Sequence, residues 1–266
     1  MVDIPFHWVD VFADKPFKGS PAAVCIIEDE LSDDTYLNIA AEINLRETAY
    51  TMKINEGEYK LRWFTPIREV PFCGHATIAT AYTLVHEYHE TTPITFQSQI
   101  GKLEATVNDN RVTLSFPRGE TEKTVNEALL KKLGITDYIE MRKITRPRLA
   151  YMVEVEDAED VKMLEPDMVG VQELLRELDA YFVAVTAKGF ELFDYVYRVF
   201  NQMDEDHGCV TANVLLGPYW SRKLGKCELL VHQPTYRETK MRIEVLDDRM
   251  KVSGSVTQLI KGTLTT

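Results

Sequence analysis

The chain has 266 residues, 45% of them apolar, which is enough to fill one large domain or two small ones. Its 30 Lys and Arg against 42 Asp and Glu leave a formal net charge of −12, which argues against a nucleic-acid backbone as partner, since phosphate binding needs a basic face. No apolar run approaches the roughly 18 residues of a membrane helix, and the opening MVDIPFHWVDVF lacks a basic n-region and a long apolar segment, so the expectation is a soluble cytoplasmic protein with no membrane partner.

In chain order, alternating apolar residues predict strands over 5–12 and 22–28. The run LSDDTYLNIAAEIN predicts a helix over 32–44. It opens on Ser32, a good N-cap, with Asp33 and Asp34 in the first turn. Strands follow over 47–53 and 58–64, then a helix over 75–87. Its start, ATIATAYTLV, is small and apolar all round, which predicts a helix sheathed on most sides. Two more strands, 103–108 and 111–116, flank the tight polar turn NDN. TVNEALLKKLGI predicts a helical connection near 124–135. Beyond it, strands are predicted over 148–155, 181–186, 193–200, 227–232, 240–245 and 249–253, with helices over 168–179 and 211–222. The class is α+β.

The four cysteines, Cys25, Cys73, Cys209 and Cys227, form no C-x-x-C pair, so neither a zinc knuckle nor a thioredoxin-type motif is expected, and the thiols are expected reduced. His86 and His89 share a helical face without an acidic or cysteine partner at metal spacing and read as surface histidines; no metal is expected. G-x-G-x-x-G, Walker A and G-x-S-x-G are all absent.

The chain repeats itself. Slid by 136 positions, so that Cys73 meets Cys209, EYKLRWFTPIREVPFCGHAT (58–77) lies over DYVYRVFNQMDEDHGCVTAN (194–213) without a gap. Tyr59, Arg62, Phe64, Glu69, Cys73 and Ala76 meet Tyr195, Arg198, Phe200, Glu205, Cys209 and Ala212. At nearly the same shift KLEATVNDNRVTLS (102–115) lies over KMRIEVLDDRMKVS (240–253), both read as hairpins. Two homologous halves follow, 1–118 and 119–266, with the second copy proper beginning near 145.

In each copy a strand leads through a short turn into a helix, and Cys73 and Cys209 stand at those turns. A helix N-terminus carries unpaired N–H groups and the positive end of the dipole, which suits a carboxylate or phosphate. If the halves pack about a pseudo-two-fold axis, the two mouths face one interdomain cleft able to hold a small anion between candidate acid/base groups.

VDVFADKPFKGSPAAV, NLRETAY, WFTPIREVPFCGHATIA, RVFNQMDEDHGCVTANVLLGPYW and VSG follow one another over nearly the whole chain, and in this order they resemble the PhzF family, the phenazine-biosynthesis-like isomerases. The resemblance implies a diaminopimelate epimerase-type fold: two similar halves, each a strongly curved, mostly antiparallel sheet around a central helix. It implies a homodimer, no cofactor, and a small anionic carboxylate as substrate. In the family a glutamate of N-L-x-E-T-A moves a proton on a small carboxylic acid; that position is Glu47. The histidine of CGHAT is His75 and the aspartate of the second motif is Asp206, so the implied catalytic set is Glu47, His75 and Asp206. Gly74, Ala76 and Thr211 at the helix mouths, with Arg46, are the expected substrate-binding residues.

The second motif usually reads E-D-P-V-T-G-S-A-H; here it is EDHGCVTAN. His207, Gly208, Cys209, Val210, Thr211 and Asn213 replace proline, valine, threonine, glycine, serine and histidine. The β-branched Val210 would narrow the approach of a ligand to the backbone. Arg237 is kept, but Glu238 and Thr239 stand where the family has glycines. Arg46 replaces a common serine and either binds a second anion, holds Glu47 ionised, or is a solvent-exposed arginine. Three functional readings stand at this point: a cofactor-independent isomerase with Glu47 as acid/base in the interdomain cleft; a two-thiol racemase or epimerase using Cys73 and Cys209, each at a helix mouth that favours the thiolate; and a catalytically silent binding protein with a degraded C-terminal motif.

Overall fold

The computed structural model describes residues 3–145 and 148–266. They form two compact units, one of the described residues up to 116 with 251–266, the other of those between 117 and 250.

Unit 1 contains β1 (Asp3–Val11), β2 (Ser20–Ile27), α1 (Asp33–Ile43), β3 (Thr48–Asn55), β4 (Glu58–Thr65), β5 (Arg68–Val70), α2 (Gly74–Tyr88), β6 (Ile94–Ser98), β7 (Gly101–Asn108) and β8 (Arg111–Pro117). Antiparallel pairs β1–β2, β3–β4, β6–β7 and β7–β8 alternate with parallel pairs β2–β3 and β4–β6. The parallel pairs are those with a helix between the strands, as a parallel connection requires. Unit 2 contains β9 (Glu122–Lys123), α3 (Glu127–Leu133), β10 (Glu140–Ile144), β11 (Ala150–Glu154), α4 (Ala158–Met163), α5 (Met168–Glu177), β12 (Phe182–Lys188), β13 (Tyr195–Asn201), β14 (Glu205–Asp206), α6 (Asn213–Leu224), β15 (Glu228–Gln233) and β16 (Thr239–Val245). Its pairings repeat the first set: β10–β11, β12–β13 and β15–β16 antiparallel, β11–β12 and β13–β15 parallel.

The repeat extends to single residues. Phe64 pairs with Glu69 across β4 and β5, and Phe200 with Glu205 across β13 and β14. Arg62 grips Glu69 with Nε and Nη2, both at 2.8 Å, and Arg198 grips Glu205 in the same way at 2.6 and 2.9 Å. Each guanidinium lies over the phenylalanine two residues on, at 5.0 and 5.1 Å. These are bidentate pairs, fixed in direction as well as strength.

The last strand, β17 (Arg249–Thr265), leaves β16 through Leu246–Asp248 and runs much further than the 249–253 predicted. Val11 to Asp3 pair antiparallel with Val256 to Thr265, and β17 also pairs with β8. The chain of pairings β1–β2–β3–β4–β6–β7–β8–β17 thereby returns to β1, so unit 1 is a closed, curved sheet. The expected boundary at 118/119 gave the whole tail to the second half; residues 251–266 belong to unit 1 instead, because β1 has a free edge that only they fill. Gly254 lets this happen beside Phe12: a Cβ there would lie 2.3 Å from the Phe12 ring.

Inside the ring, α2 packs on β1, β2, β3 and β7, and its residues from Gly74 to Ala81 are buried, as an all-round apolar helix requires. α1 lies outside, presenting Tyr36, Ile39 and Ala40 to the sheet; Ser32 Oγ caps it by accepting from Thr35 N–H at 3.2 Å. In unit 2 a core of α3, α4 and α5 residues, among them Leu129, Val161, Val171 and Leu175, covers β11 to β13. The elements that sequence pattern missed are short or charged: β5, β9 and β14 have two or three residues, α4 has six, and β10 reads EMRKI. β6 was missed as well; it has only five residues, of which Ile94 and Phe96 are buried.

Candidate functional site

Two helix mouths carry the candidate residues, one in each unit. In unit 1, Cys73 is the N-cap of α2, in extended conformation and without a side-chain cap bond. Gly74, His75 and Ala76 form the first turn, all buried, where N–H groups are free of intrahelical partners. The turn is pinned by Thr77, whose Oγ1 donates to the Cys73 carbonyl at 2.6 Å. Glu47 immediately precedes β3, and its carbonyl accepts from Ala23 N–H at 3.2 Å, which ties its backbone to β2. This placement brings three side chains together. His75 Nε2 lies 3.3 Å from Glu47 Oε2, with the two side chains 4% and 8% exposed. Cys73 Sγ lies 3.5 Å from His75 Nδ1. The His75 ring therefore faces both the Glu47 carboxylate and the Cys73 thiol, and Sγ lies within 3.9 Å of both ring nitrogens. Arg46, next to Glu47 in the chain, is half-buried.

The arrangement is chemically capable. A carboxylate held in a dry site and faced by an imidazole can take a proton from carbon and return it. The first turn of α2 offers N–H groups and the positive end of a fifteen-residue helix to a substrate anion.

In unit 2 the corresponding segment, 206–212, is wound more tightly. Asn213, Val214 and Leu215 donate to the carbonyls three residues back, Val210, Thr211 and Ala212, so the mouth is a set of 3₁₀-type turns and regular helix starts at Asn213 rather than at the predicted 211. Asp206 and Cys209 are buried, 8% and 6% exposed, and Thr211 is half-buried. Asp206 Oδ1 accepts from Gly208 N–H at 2.9 Å. Val210 is buried. The His207 ring stands edge-on to Tyr236 at 4.5 Å.

Side chains outside the motif hold this loop. Gln233 Oε1 accepts from Cys209 N–H at 3.1 Å while its Nε2 donates to the Asp206 carbonyl, and Thr239 Oγ1 donates to the His207 carbonyl. Asn213 is fully buried: Nδ2 donates to the Cys209 carbonyl and to Tyr197 Oη, each at 3.1 Å, and Oδ1 accepts from Tyr195 Oη at 2.5 Å. Burial lifts both tyrosine hydroxyls well above their ordinary pKa, so they stay neutral donors. Sequence reading missed Gln233, Tyr195 and Tyr197 as supports. Their only trace is polar residues in otherwise apolar strands. Asn213 was noted only as a departure, yet it stands at the repeat position of Thr77 and performs the same bond to the cysteine carbonyl.

The candidates thus divide by unit: Glu47, Cys73 and His75 meet at one mouth with Gly74 and Ala76, Arg46 belongs to the same unit, and Asp206, Cys209 and Thr211 belong to the other. A cavity of about 640 Å³ in unit 2, walled by Arg142, Tyr219 and Lys223, touches none of them.

Comparison with known proteins agrees with the fold. The family model described as phenazine biosynthesis-like protein matches residues 9–262. An uncharacterized isomerase of Pseudomonas aeruginosa is 36% identical over 268 residues, covering 99% of each chain. The crystal structure of a PhzF-family protein of Enterococcus faecalis aligns over 100% of both chains at 34% identity with a TM-score of 0.89. A probable proline racemase from Agrobacterium radiobacter shares the fold at 11% identity, with a TM-score of 0.68 over 98% of this chain and 93% of its own. Sequence motifs, duplicated topology and these likenesses agree: the chain belongs to the phenazine biosynthesis-like, or PhzF, family.

Proposed function

We propose that this chain is a cofactor-independent isomerase that moves a proton on a small carboxylic acid. Isomerase as the class follows from the family and its relatives. Glu47 takes the proton from a carbon beside the substrate carboxylate, leaving an enolate, and returns it to another carbon. His75 holds the Glu47 carboxylate in place and shares its charge. The N–H groups of Gly74, His75 and Ala76 meet the substrate carboxylate and the enolate charge that develops on it. Arg46 and Thr211 are further contacts to substrate, and Asp206 is the third catalytic group. The observation that carries the reading is the buried Glu47–His75 contact of 3.3 Å at the N-terminus of a sheathed helix. The same reading takes a homodimer in the cytoplasm, acting on a small anion without nucleic acid or membrane; among the described residues no helix is long and apolar enough to cross a membrane.

The test is deuterium incorporation from heavy water into a panel of small unsaturated and hydroxylated carboxylic acids, followed by NMR. Wild type is expected to label at least one acid, and Glu47→Gln to lose about 10²-fold or more in exchange rate while keeping its fold. Full exchange in Glu47→Gln removes Glu47 as the base.

One observation favours the two-thiol reading: Cys73 has an acceptor, His75 Nδ1, at 3.5 Å. It predicts that Cys73→Ser and Cys209→Ser each lose exchange while Glu47→Gln retains it. A wild-type protein that labels no acid at all would support the silent binding protein.

A further inference from the structure

We propose that Glu47, Cys73 and His75 form a binding site for one Zn²⁺ ion, which switches off proton transfer by taking its groups as ligands. The inhibition rests on the function proposed above; the binding rests on geometry alone.

One donor atom from each of the three side chains falls within 4.8 Å of the other two, and all three residues are buried. Thiolate, imidazole and carboxylate are the ligand set zinc takes, at about 2.3, 2.0–2.1 and 2.0–2.2 Å. With tetrahedral angles those bonds place donors about 3.3–3.6 Å apart. His75 Nε2 and Glu47 Oε2 already stand at 3.3 Å, and Cys73 Sγ lies 3.9 Å from the same nitrogen. Sγ also lies 3.5 Å from Nδ1, so closing the site on Nε2 requires the Cys73 side chain to swing along the ring toward Glu47. Two of the ligands are fixed by the first turn of α2 and the third by the start of β3, so the frame is rigid. Three protein ligands leave the fourth position open. Calcium and magnesium, which want six or more oxygen ligands, do not fit.

The charge balance also favours the ion. A thiolate and a carboxylate neutralise its two positive charges, and His75 binds as the neutral ring, so the loaded site carries no net charge in a dry setting. Starting from the thiol, Zn²⁺ forms the Zn–S bond as the Cys73 S–H bond gives up its proton to solvent, so one proton is released per ion bound.

The experiment titrates Co²⁺, then Zn²⁺, into the reduced full chain carrying Cys227→Ser, which removes the exposed thiol. Cys25 is no competitor, since burial pushes its thiol up to about 12. Expected are one Co²⁺ per chain, a thiolate-to-cobalt charge-transfer band with intense tetrahedral d–d bands, displacement by one Zn²⁺, and one proton released when metal-free protein takes zinc. Cys73→Ser abolishes the charge-transfer band. Glu47→Gln, which is isosteric, weakens binding by about 10–100-fold or more, the scale on which even outer-shell partners act. Cys209→Ser leaves the spectrum unchanged. No band at stoichiometric cobalt, or one that survives Cys73→Ser, overturns the site. A protein that binds cobalt but exchanges no acid proton when metal-free refutes the isomerase reading alone; one that exchanges but binds no cobalt refutes this proposal alone.

Discussion

The two helix mouths arise from one repeated plan and are built differently. At the first, a short hydroxyl, Thr77, pins the turn, and the polar side chains of Glu47, Cys73 and His75 are left to face each other. At the second, Asn213, Gln233 and Thr239 reach in from the helix and two strands to fix the loop backbone atom by atom. The scaffold below each mouth did not diverge in this way. The arginine–glutamate clamp, the strand register and the phenylalanine under the guanidinium are retained in both units. Duplication kept what holds the strands and released what the helix mouth presents.

That contrast can be broken by experiment, most sharply through the acids. Glu47→Gln is expected to lower proton exchange by about 10²-fold or more. Asp206→Asn should cost less, about tenfold, because an asparagine oxygen still accepts from Gly208 N–H. Equal losses in parallel exchange assays would mean that Asp206 carries as much of the proton transfer as Glu47.

The next largest effects concern stability. Asn213→Ala leaves Tyr195, Tyr197 and the Cys209 carbonyl short of partners in a fully buried place and is expected to destabilise by about 3 kcal/mol. Thr77→Val removes one bond and should cost only about 1 kcal/mol. Urea unfolding of both variants decides this, and similar losses would mean that the two mouths are equally braced. The clamps should rank likewise. Arg198 also donates from Nη1 to the Leu164 carbonyl at 2.6 Å, which ties α4 to the sheet, whereas the extra partner of Arg62 is the exposed Asp33. Arg198→Ala is expected to cost about 3 kcal/mol and Arg62→Ala about 1–2 kcal/mol.

The smallest effect is on pH. Burial lowers the pKa of His7 in unit 1 and of His232 in unit 2. The folded protein therefore binds fewer protons than the unfolded chain. The stability this represents is present above the ordinary histidine value of about 6.5 and is lost as pH falls through it. Thermal unfolding followed from about pH 7 to pH 5 should show a decline, and His7→Gln and His232→Gln should each flatten it. An unaltered slope in both variants would assign the decline to carboxylates.

Much of this was legible beforehand. Long elements with a clear period, such as α1 after Ser32 or the hairpin about Asp109, were placed within two residues. The duplication was visible because residues that hold the strands, Arg62 and Glu69 with their copies Arg198 and Glu205 among them, are the same in both units. Glu47, Cys73 and His75 were named from motif positions, and their meeting is a short-range consequence of β3 beginning beside the first turn of α2. Two things were hidden. The supports of the second mouth come from strands distant in sequence, and Gln233 looks like any strand residue until its carbonyl and N–H partners are known. The full length of β17 was hidden too, because a strand is extended by the neighbour that pairs with it, and SVTQLIKGTLT carries no label naming β1.

That late pairing has a consequence for assembly. Unit 2 is contiguous, residues 117–250, whereas unit 1 needs a strand that follows it in the chain. During synthesis β1 and β8 must wait with unpaired edges while the whole of unit 2 emerges and folds, then accept β17 between them. An open edge is a template for foreign strands. Nascent chains stalled before residue 251 therefore expose two strand edges at once, and the interval between completing unit 2 and docking β17 is the one in which those edges are open to mispairing.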